Sequence, residues 1–460
     1  MKKTDSAKAK AWLKGLFVST SDSEAKLLTV AKKDSTQTII SSVLCALLGI
    51  LLGFIVLLCI NPRHAGEAMG TILKNFGYYK DKTLALENFG TTVVKAVPLI
   101  MCGISVLFAY KAGLFNIGVG GQYCIGICVS LYSALAWQLP WYLCIVLAGL
   151  AAALWGAACG MLKAFFNVNE VIACIMTNWI GLYVTNLVLN LPGAKNPNLG
   201  ETKGLLEFAP KSVIPDIGLR NWFNGNKYVT IAIPLCIIIA IIILVILNKT
   251  TFGYELKATG HNKSAAKYAG MKDKRNIILT MAISGALAGL GAAFFYLTGF
   301  EVYKTTSTSV PAMGFNGIAV AFLGGLNPIG AIIAGYFIQH ITIGGGYIDT
   351  RYYNPEVADL MISLIVYLCA FVLFFKQFLT KRLNKISEKA HSKVQERAAI
   401  ESVQDEVTPT AQDAAQADGT TVEENEITPE EEIVKEVNKE VEEITAPNDS
   451  QNTQKEDDER

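Results

Sequence analysis

GLFNIGVGGQ, residues 113–122, sets four glycines, an asparagine and a glutamine between long apolar runs. In a water-soluble domain it would read as a loop. The runs flanking it are long enough to cross a hydrocarbon layer of ~30 Å, and that changes the reading. Each unpaired backbone group in hydrocarbon costs several kcal/mol, so irregular backbone at membrane depth survives only against protein or water. The glycines therefore predict a broken or closely packed helix. A break exposes amides and carbonyls that a cavity can offer to a polar solute, and Asn116 and Gln122 add side-chain donors and acceptors. Close packing alone is the plainer alternative, and it is the role expected of Gly156-x-x-x-Gly160 and Gly285-x-x-x-Gly289. Intramembrane amides are costly unless used, which favours the cavity-lining break.

Composition bounds the rest. The chain of 460 residues is 52% hydrophobic with a mean hydropathy of +0.36, as expected of a membrane protein. Its net charge of +1 conceals an asymmetry: residues 401–460 hold 20 of the 39 acids and four of the 40 Lys and Arg. The body is thus basic and the tail acidic. The tail, with almost no aromatics, cannot bury enough apolar surface to fold; a transient charged helix over Glu430–Glu443 is the most it would form. All ten cysteines lie in apolar segments, where free Cys acts as a small hydrophobe. Cys124 and Cys128 have helical spacing but no third ligand nearby.

Residues 1–38 form a basic segment, with a short interfacial helix conceivable over Ala11–Val18; it does not read as a cleavable signal peptide. The positive-inside rule places this end in the cytoplasm. Ten spans follow, near 39–60, 93–110, 119–137, 141–162, 170–190, 229–247, 277–299, 311–325, 328–343 and 357–375. Residues 61–90 and 191–228 read as outside loops. The connection 248–276, with seven Lys and Arg, is the strongest internal sign of a cytoplasmic loop. Lys376, Lys381, Arg382, Lys385 and Lys389 put the end of the tenth span inside as well. The eighth and ninth segments are short, and a re-entrant pair satisfies the same parity.

The expected fold is an all-α polytopic membrane protein, with about ten transmembrane helices in two inverted five-helix halves and broken or re-entrant segments. The permease domain covers 39–380 and the acidic, disordered tail 381–460. Inverted halves are typical of transporters, with the path where they meet. One echo supports the division: Phe115-Asn116-Ile-Gly118 in the first half and Phe315-Asn316-Gly-Ile318 in the second.

An enzyme reading finds nothing to rest on. G-x-x-x-x-G-K-[ST] and H-E-x-x-H do not occur, Gly118-Val-Gly-Gly121 is not a dinucleotide fingerprint, and His64, His261, His340 and His391 are scattered. Three other stretches stand out. The first runs from Gly314-Phe-Asn-Gly317 to Gly324-Gly-Leu-Asn-Pro328, glycine, asparagine and proline between short apolar runs. The second is NEVIACIMTNW, 169–179, where Glu170 reads as a helix N-terminal acid and Asn178 lies two turns deeper. The third is GYELKATGHNKSAAKYAGMKDKRN, 253–276, in which Gly260-His-Asn262 can start a short helix with a small-residue face at Ala265, Ala266, Tyr268 and Ala269. Such a helix suits docking in a partner's groove.

Together with GLFNIGVGGQ these stretches resemble the permease subunits of bacterial ABC importers for nucleosides and simple sugars, in the superfamily of ribose and branched-chain amino-acid permeases. The likeness covers about 90–375, in the family's order, and FNIG and NEVI point to the nucleoside-type branch. GGLNP is less polar than the matching stretch of many members, and the acidic tail lies outside the pattern. The resemblance implies a translocation-pathway subunit, with a second related permease chain, a cytoplasmic ABC ATPase that carries the ATP and Mg, and an extracytoplasmic substrate-binding lipoprotein that delivers a nucleoside. It implies no cofactor in this chain, no enzymatic activity, no nucleic-acid partner and a place in the bacterial cell membrane with both termini cytoplasmic. It also implies an ATPase-coupling set of Glu255, Gly260, Asn262, Ala265, Ala266, Tyr268 and Gly270. Phe115, Trp179 and Phe315 are the candidates for stacking a base, and Asn116, Gln122, Asn178 and Asn316 for bonding its edges or ribose. The same importer acting on a simple sugar such as ribose is the runner-up. An ion-coupled carrier ranks lower, since Lys95, Lys111, Lys163 and Glu170 read as lying near span ends.

Overall fold

The computed structural model describes residues 34–384, apart from Pro355, Ala370, Leu373, Leu379 and Leu383. The Ala11–Val18 segment and the acidic tail lie outside the described residues. The chain is helical: α1 (Asp34–Ile60), α2 (Ala65–Lys74), α3 (Lys82–Lys111), α4 (Val119–Leu135), α5 (Trp141–Phe166), α6 (Glu170–Leu189), α7 (Ala232–Lys249), α8 (Thr251–His261), α9 (Lys263–Tyr268), α10 (Asp273–Tyr296), α11 (Ala312–Leu323), α12 (Pro328–Gly345) and α13 (Glu356–Cys369). Among the described residues there is no strand, only the isolated bridges Lys195–Thr202 and Glu201–Lys304.

Local chemistry sets the helix ends. Asp81 caps α3 by accepting from the Thr83 amide at 2.9 Å, and the Asn169 side chain accepts from the Val171 amide at 2.9 Å at the start of α6. Asn327 caps α12, with Pro328 at its first position, where no amide hydrogen is needed. Asn167 closes α5 in the left-handed region at φ 53°.

Each of the ten predicted spans falls on a helix. Six helices, α1, α3, α5, α6, α7 and α10, are long and apolar enough to cross a membrane; α4 and α11 are shorter apolar helices. One boundary needs correction. Residues 61–90, read as a loop, contain α2, a 3-10 turn over Asn75–Tyr78 and the first turns of α3. Lys82, Glu87 and Asn88 lower the hydropathy there without breaking the helix. Lys95 consequently lies near the middle of α3 rather than near its end, and its ammonium sits 5.0 Å from the centre of the Phe300 ring.

Burial separates pillars from periphery. In their most apolar windows α3 is 89% and α10 67% buried, against 28% for α1 and α7. α3 packs on α11 and α12, while α10 packs on α4 and α5, and the two pillars touch each other. The close approach of α5 to α10 rests on small residues. A Cβ at Gly156 would run into the Met281 carbonyl, and one at Gly285 into the Ala152 carbonyl, so the two predicted packing motifs meet. Cysteines follow the same logic: of the nine described as free thiols, all but Cys59 are buried.

Candidate functional site

The chain leaves the helical path after Lys111 and resumes it at Val119, so GLFNIGVGGQ is a break that leads into α4. Asn116, in that break, is fully buried. Its Nδ2 donates to Gln122 Oε1 at 2.9 Å and to Ser284 Oγ of α10 at 2.7 Å. Its Oδ1 accepts from the Gly118 amide at 2.9 Å, Gln122 Nε2 at 3.3 Å and the Cys174 thiol at 3.5 Å. Ser284 in turn locks to α3: Ser105 Oγ donates to the Ser284 carbonyl at 2.7 Å, and Ser284 Oγ to the Ser105 carbonyl at 2.8 Å. Every polar atom of the pair is satisfied inside the protein, as a dry site demands.

Asn178 of α6 holds the other side. Its Oδ1 accepts from the Gly121 amide at 2.7 Å and its Nδ2 donates to the Ile117 carbonyl at 3.0 Å. The first amides of a helix lack intrahelical partners, so α4 is capped by a side chain from another helix. A Cβ at Gly121 would lie 2.7 Å from the Asn178 Cα, which is why α6 can approach this closely only against glycine.

The structure thus brings Asn116, Gln122 and Asn178 into one buried cluster and leaves the aromatic candidates apart. Phe115 is half-buried. Trp179 is exposed and stacks on Tyr183, with ring centres 6.4 Å apart. Phe315 is exposed and Asn316 half-buried, and both sit inside α11 rather than in a break. The interruptions of the second half flank α11, with Gly325 and Leu326 in the left-handed region at φ 65° and 54°. A cavity of about 300 Å³ lies elsewhere, between α1 and α12, with an apolar lining broken by Thr38 and Ser42. Sequence reading missed Ser105, Ser284 and Cys174. The available signal was a lone serine in each of two apolar helices, a placement that is costly unless the hydroxyl is used.

The basic connection folds as α8 and α9. Asn262 caps α9 by accepting from the Ala265 amide at 3.0 Å. Glu255 faces inward, with Oε2 3.3 Å from Arg275 Nη2 and accepting from Asn276 Nδ2 at 3.4 Å. Ala266 is buried, whereas Ala265, Tyr268 and Gly270 are exposed, Tyr268 almost completely. Gly260 meets the break itself: a Cβ there would lie 2.6 Å from the Gly113 nitrogen. Beside this contact, Lys111, Asn248, Lys257 and Asn327 line a small pocket of about 80 Å³. Among the described residues, no group of three His, Cys, Asp or Glu side chains is placed to hold a metal ion.

The family described as "Branched-chain amino acid transport system / permease component" matches residues 88–370. The chain is 36% identical over 286 residues to the guanosine ABC transporter permease protein NupP of Bacillus subtilis, covering 60% of this chain and 79% of that one. It is 30% identical over 376 residues to the nucleoside ABC transporter permease protein NupB of Lactococcus lactis, covering 79% of this chain and all of that one (100%). A second guanosine permease of Bacillus subtilis, NupQ, is 27% identical over 292 residues, 61% of this chain and 89% of that one. No solved structure matches the chain. With a family match over more than half its length and several helices apolar enough to span a bilayer, the chain is a multi-pass membrane protein that belongs to this ABC-transporter permease family.

Proposed function

We propose that this chain is one of two permease subunits of an ATP-driven importer for nucleosides. The observation that carries the reading is the likeness over most of the chain to NupB, a nucleoside ABC transporter permease. A second related permease is expected as partner, because NupP and NupQ of one organism both resemble this chain. ATP and Mg would be bound by a separate cytoplasmic ATPase, and the substrate would arrive on an extracytoplasmic lipoprotein.

In this reading ten helices cross the membrane in inverted halves of five. The exchange of pillars supports it: α3 of the first half packs on α11 and α12, and α10, its counterpart, packs on α4 and α5. Both termini then lie in the cytoplasm with the basic connection. The amides of Asn116, Gln122 and Asn178 are spent on protein partners here, so their contact with a nucleoside would follow opening of the seam between α4, α6 and α10. Trp179 and Phe315 are the aromatic surfaces already accessible for stacking.

Uptake of labelled nucleosides and labelled ribose in cells lacking the gene tests the reading. Loss of nucleoside uptake alone, restored by the intact gene, is the expected result. Loss of ribose uptake alone would move the substrate to free sugars, and loss of neither would remove the substrate assignment.

A further inference from the structure

One wall of the cavity between α1 and α12 is a row at helical spacing: Thr38, Ser42, Ala46 and Ile50. Ala334 and Phe337 of α12 form the facing wall. A Cβ at Gly325, in the α11–α12 turn, would run into the Thr38 side chain, so α1 and the turn are in contact at that end. Val43, Leu47 and Ile333 line the rim, and all three are exposed. They continue the apolar outer face of α1, which is long and apolar enough to cross a membrane. The crevice therefore opens sideways onto hydrocarbon. From Ser42 to Ile50 its row rises ~12 Å, most of the ~15 Å that one leaflet contributes to the hydrocarbon core.

A crevice of about 300 Å³ with this lining does not hold water, and left empty it forfeits packing along both walls. A single hydrocarbon chain restores those contacts. One polar group remains to be matched. Ser41 donates to the Gln37 carbonyl at 2.8 Å, the usual recourse of a serine in a helix. Ser42, only 8% exposed, has no hydrogen-bond partner for its hydroxyl among the described residues. It lies ~7.5 Å along α1 from Gln37, against ~5–7 Å for a headgroup layer. An ester carbonyl below a headgroup at the level of Gln37 would meet it. That level is basic. Gln37 Oε1 accepts from Thr380 Oγ1 at 2.6 Å, and Lys381 and Arg382 follow Thr380, both exposed. Residues 374–384 include no Asp or Glu, so a phosphate there meets attraction alone from this segment.

We propose that this crevice is a binding site for an anionic phospholipid. One acyl chain lies along Ser42, Ala46 and Ile50, and the Ser42 hydroxyl donates to the ester carbonyl. The phosphate sits at the level of Lys381 and Arg382. The site is independent of the importer reading and of the solute carried.

The test uses the full chain, in the assembly with which it purifies, in phosphatidylcholine vesicles. A minor share of the lipid is phosphatidylglycerol with a diazirine on its acyl chain, and mass spectrometry locates the label after photolysis. Ile238 and Ile242 of α7, exposed and apolar, report ordinary contact with lipid. Label on α1 residues 42–50 and α12 residues 333–337 should exceed that on α7 at least about fivefold. Ala46→Trp and Ala334→Phe fill the crevice from opposite walls. Each should bring its label down to the α7 level while the α7 label stays the same. Ser42→Ala should lower crevice label about threefold. Lys381→Gln together with Arg382→Gln should cut the preference for phosphatidylglycerol over phosphatidylcholine bearing the same diazirine about tenfold. Wild-type label no higher in the crevice than on α7 overturns the site, as does crevice label that survives both filling substitutions. Equal labelling by the two lipids overturns the anionic headgroup.

Discussion

Phe115-Asn116-Ile117-Gly118 and Phe315-Asn316-Gly317-Ile318 are near twins in sequence and opposites in place. The first lies in a break, with its asparagine fully buried and bonded to residues of the break, of α4, α6 and α10. The second lies inside α11, with its phenylalanine exposed and its asparagine half-buried. An amide surrounded by protein must find every partner there, whereas one that water reaches need not. Residue identity alone therefore does not assign a role, since what surrounds the side chain decides it.

The largest effect expected from this contrast is on stability. Asn116→Ala strands the Gly118 amide, the Gln122 side chain and the Ser284 hydroxyl together, and should cost about 3 kcal/mol or more. Asn316→Ala should cost less than about 0.5 kcal/mol. Thermal unfolding of the purified chain in one detergent compares them. Equal shifts would break the comparison and return the two motifs to equivalent roles.

How much of this was legible in the sequence follows from the range of the interactions. The helices were readable because apolar runs and their caps are local, as with Asn169 before α6 and Asn262 before α9. That Gly156, Gly160, Gly285 and Gly289 serve close packing was readable because small residues at helical spacing have few other uses, but that the two stretches meet each other was not. The partner of Asn116 was not readable, because Ser284 is 168 residues away and a lone serine carries no address. The early start of α3 was missed because hydropathy reports solvent, not helicity. GLFNIGVGGQ proved to be a break with close packing around it: Gly121 admits Asn178, and Asn116 with Gln122 fills the interior of the turn.

Two smaller effects sharpen the contrast from inside the cluster. Ser284→Ala removes one bond from Asn116 and one from Ser105, and should destabilise by about 1–2 kcal/mol. Combined with Asn116→Ala, it should add less than its own cost, a coupling of about 1 kcal/mol in a double-mutant cycle. Strict additivity would mean that the 2.7 Å contact carries no energy. Asn178→Ala leaves the Gly121 amide buried and uncapped, at a cost of about 1 kcal/mol. Its distinguishing readout is local: amide exchange at Gly121 should rise more than exchange in the middle of α4.

The opposite pole is a polar pair in the open. Asp349, in the connection from α12 to α13, has its carboxyl held down to about 2, chiefly by hydrogen bonding from the Arg351 side chain and amide, with the nearby His64 adding to the effect. The contacts are short, 2.6 Å from Nη2 and 3.0 Å from Nε, yet both groups lie at the surface, where solvent screens them. The sign is set by the depressed value. Any stability from this pair is present above the unfolded carboxyl's ~3.9 and disappears as pH falls from there toward about 2. Between pH 7 and pH 5 the pair should therefore leave the thermal midpoint unchanged, while Asn116→Ala shifts it at both. Arg351→Gln should move the Asp349 titration up toward ~3.9, followed by carboxyl NMR of selectively labelled protein, with little change in unfolding at pH 7. A midpoint that moved as much for Arg351→Gln as for Asn116→Ala would show that burial is not what ranks the polar groups of this protein.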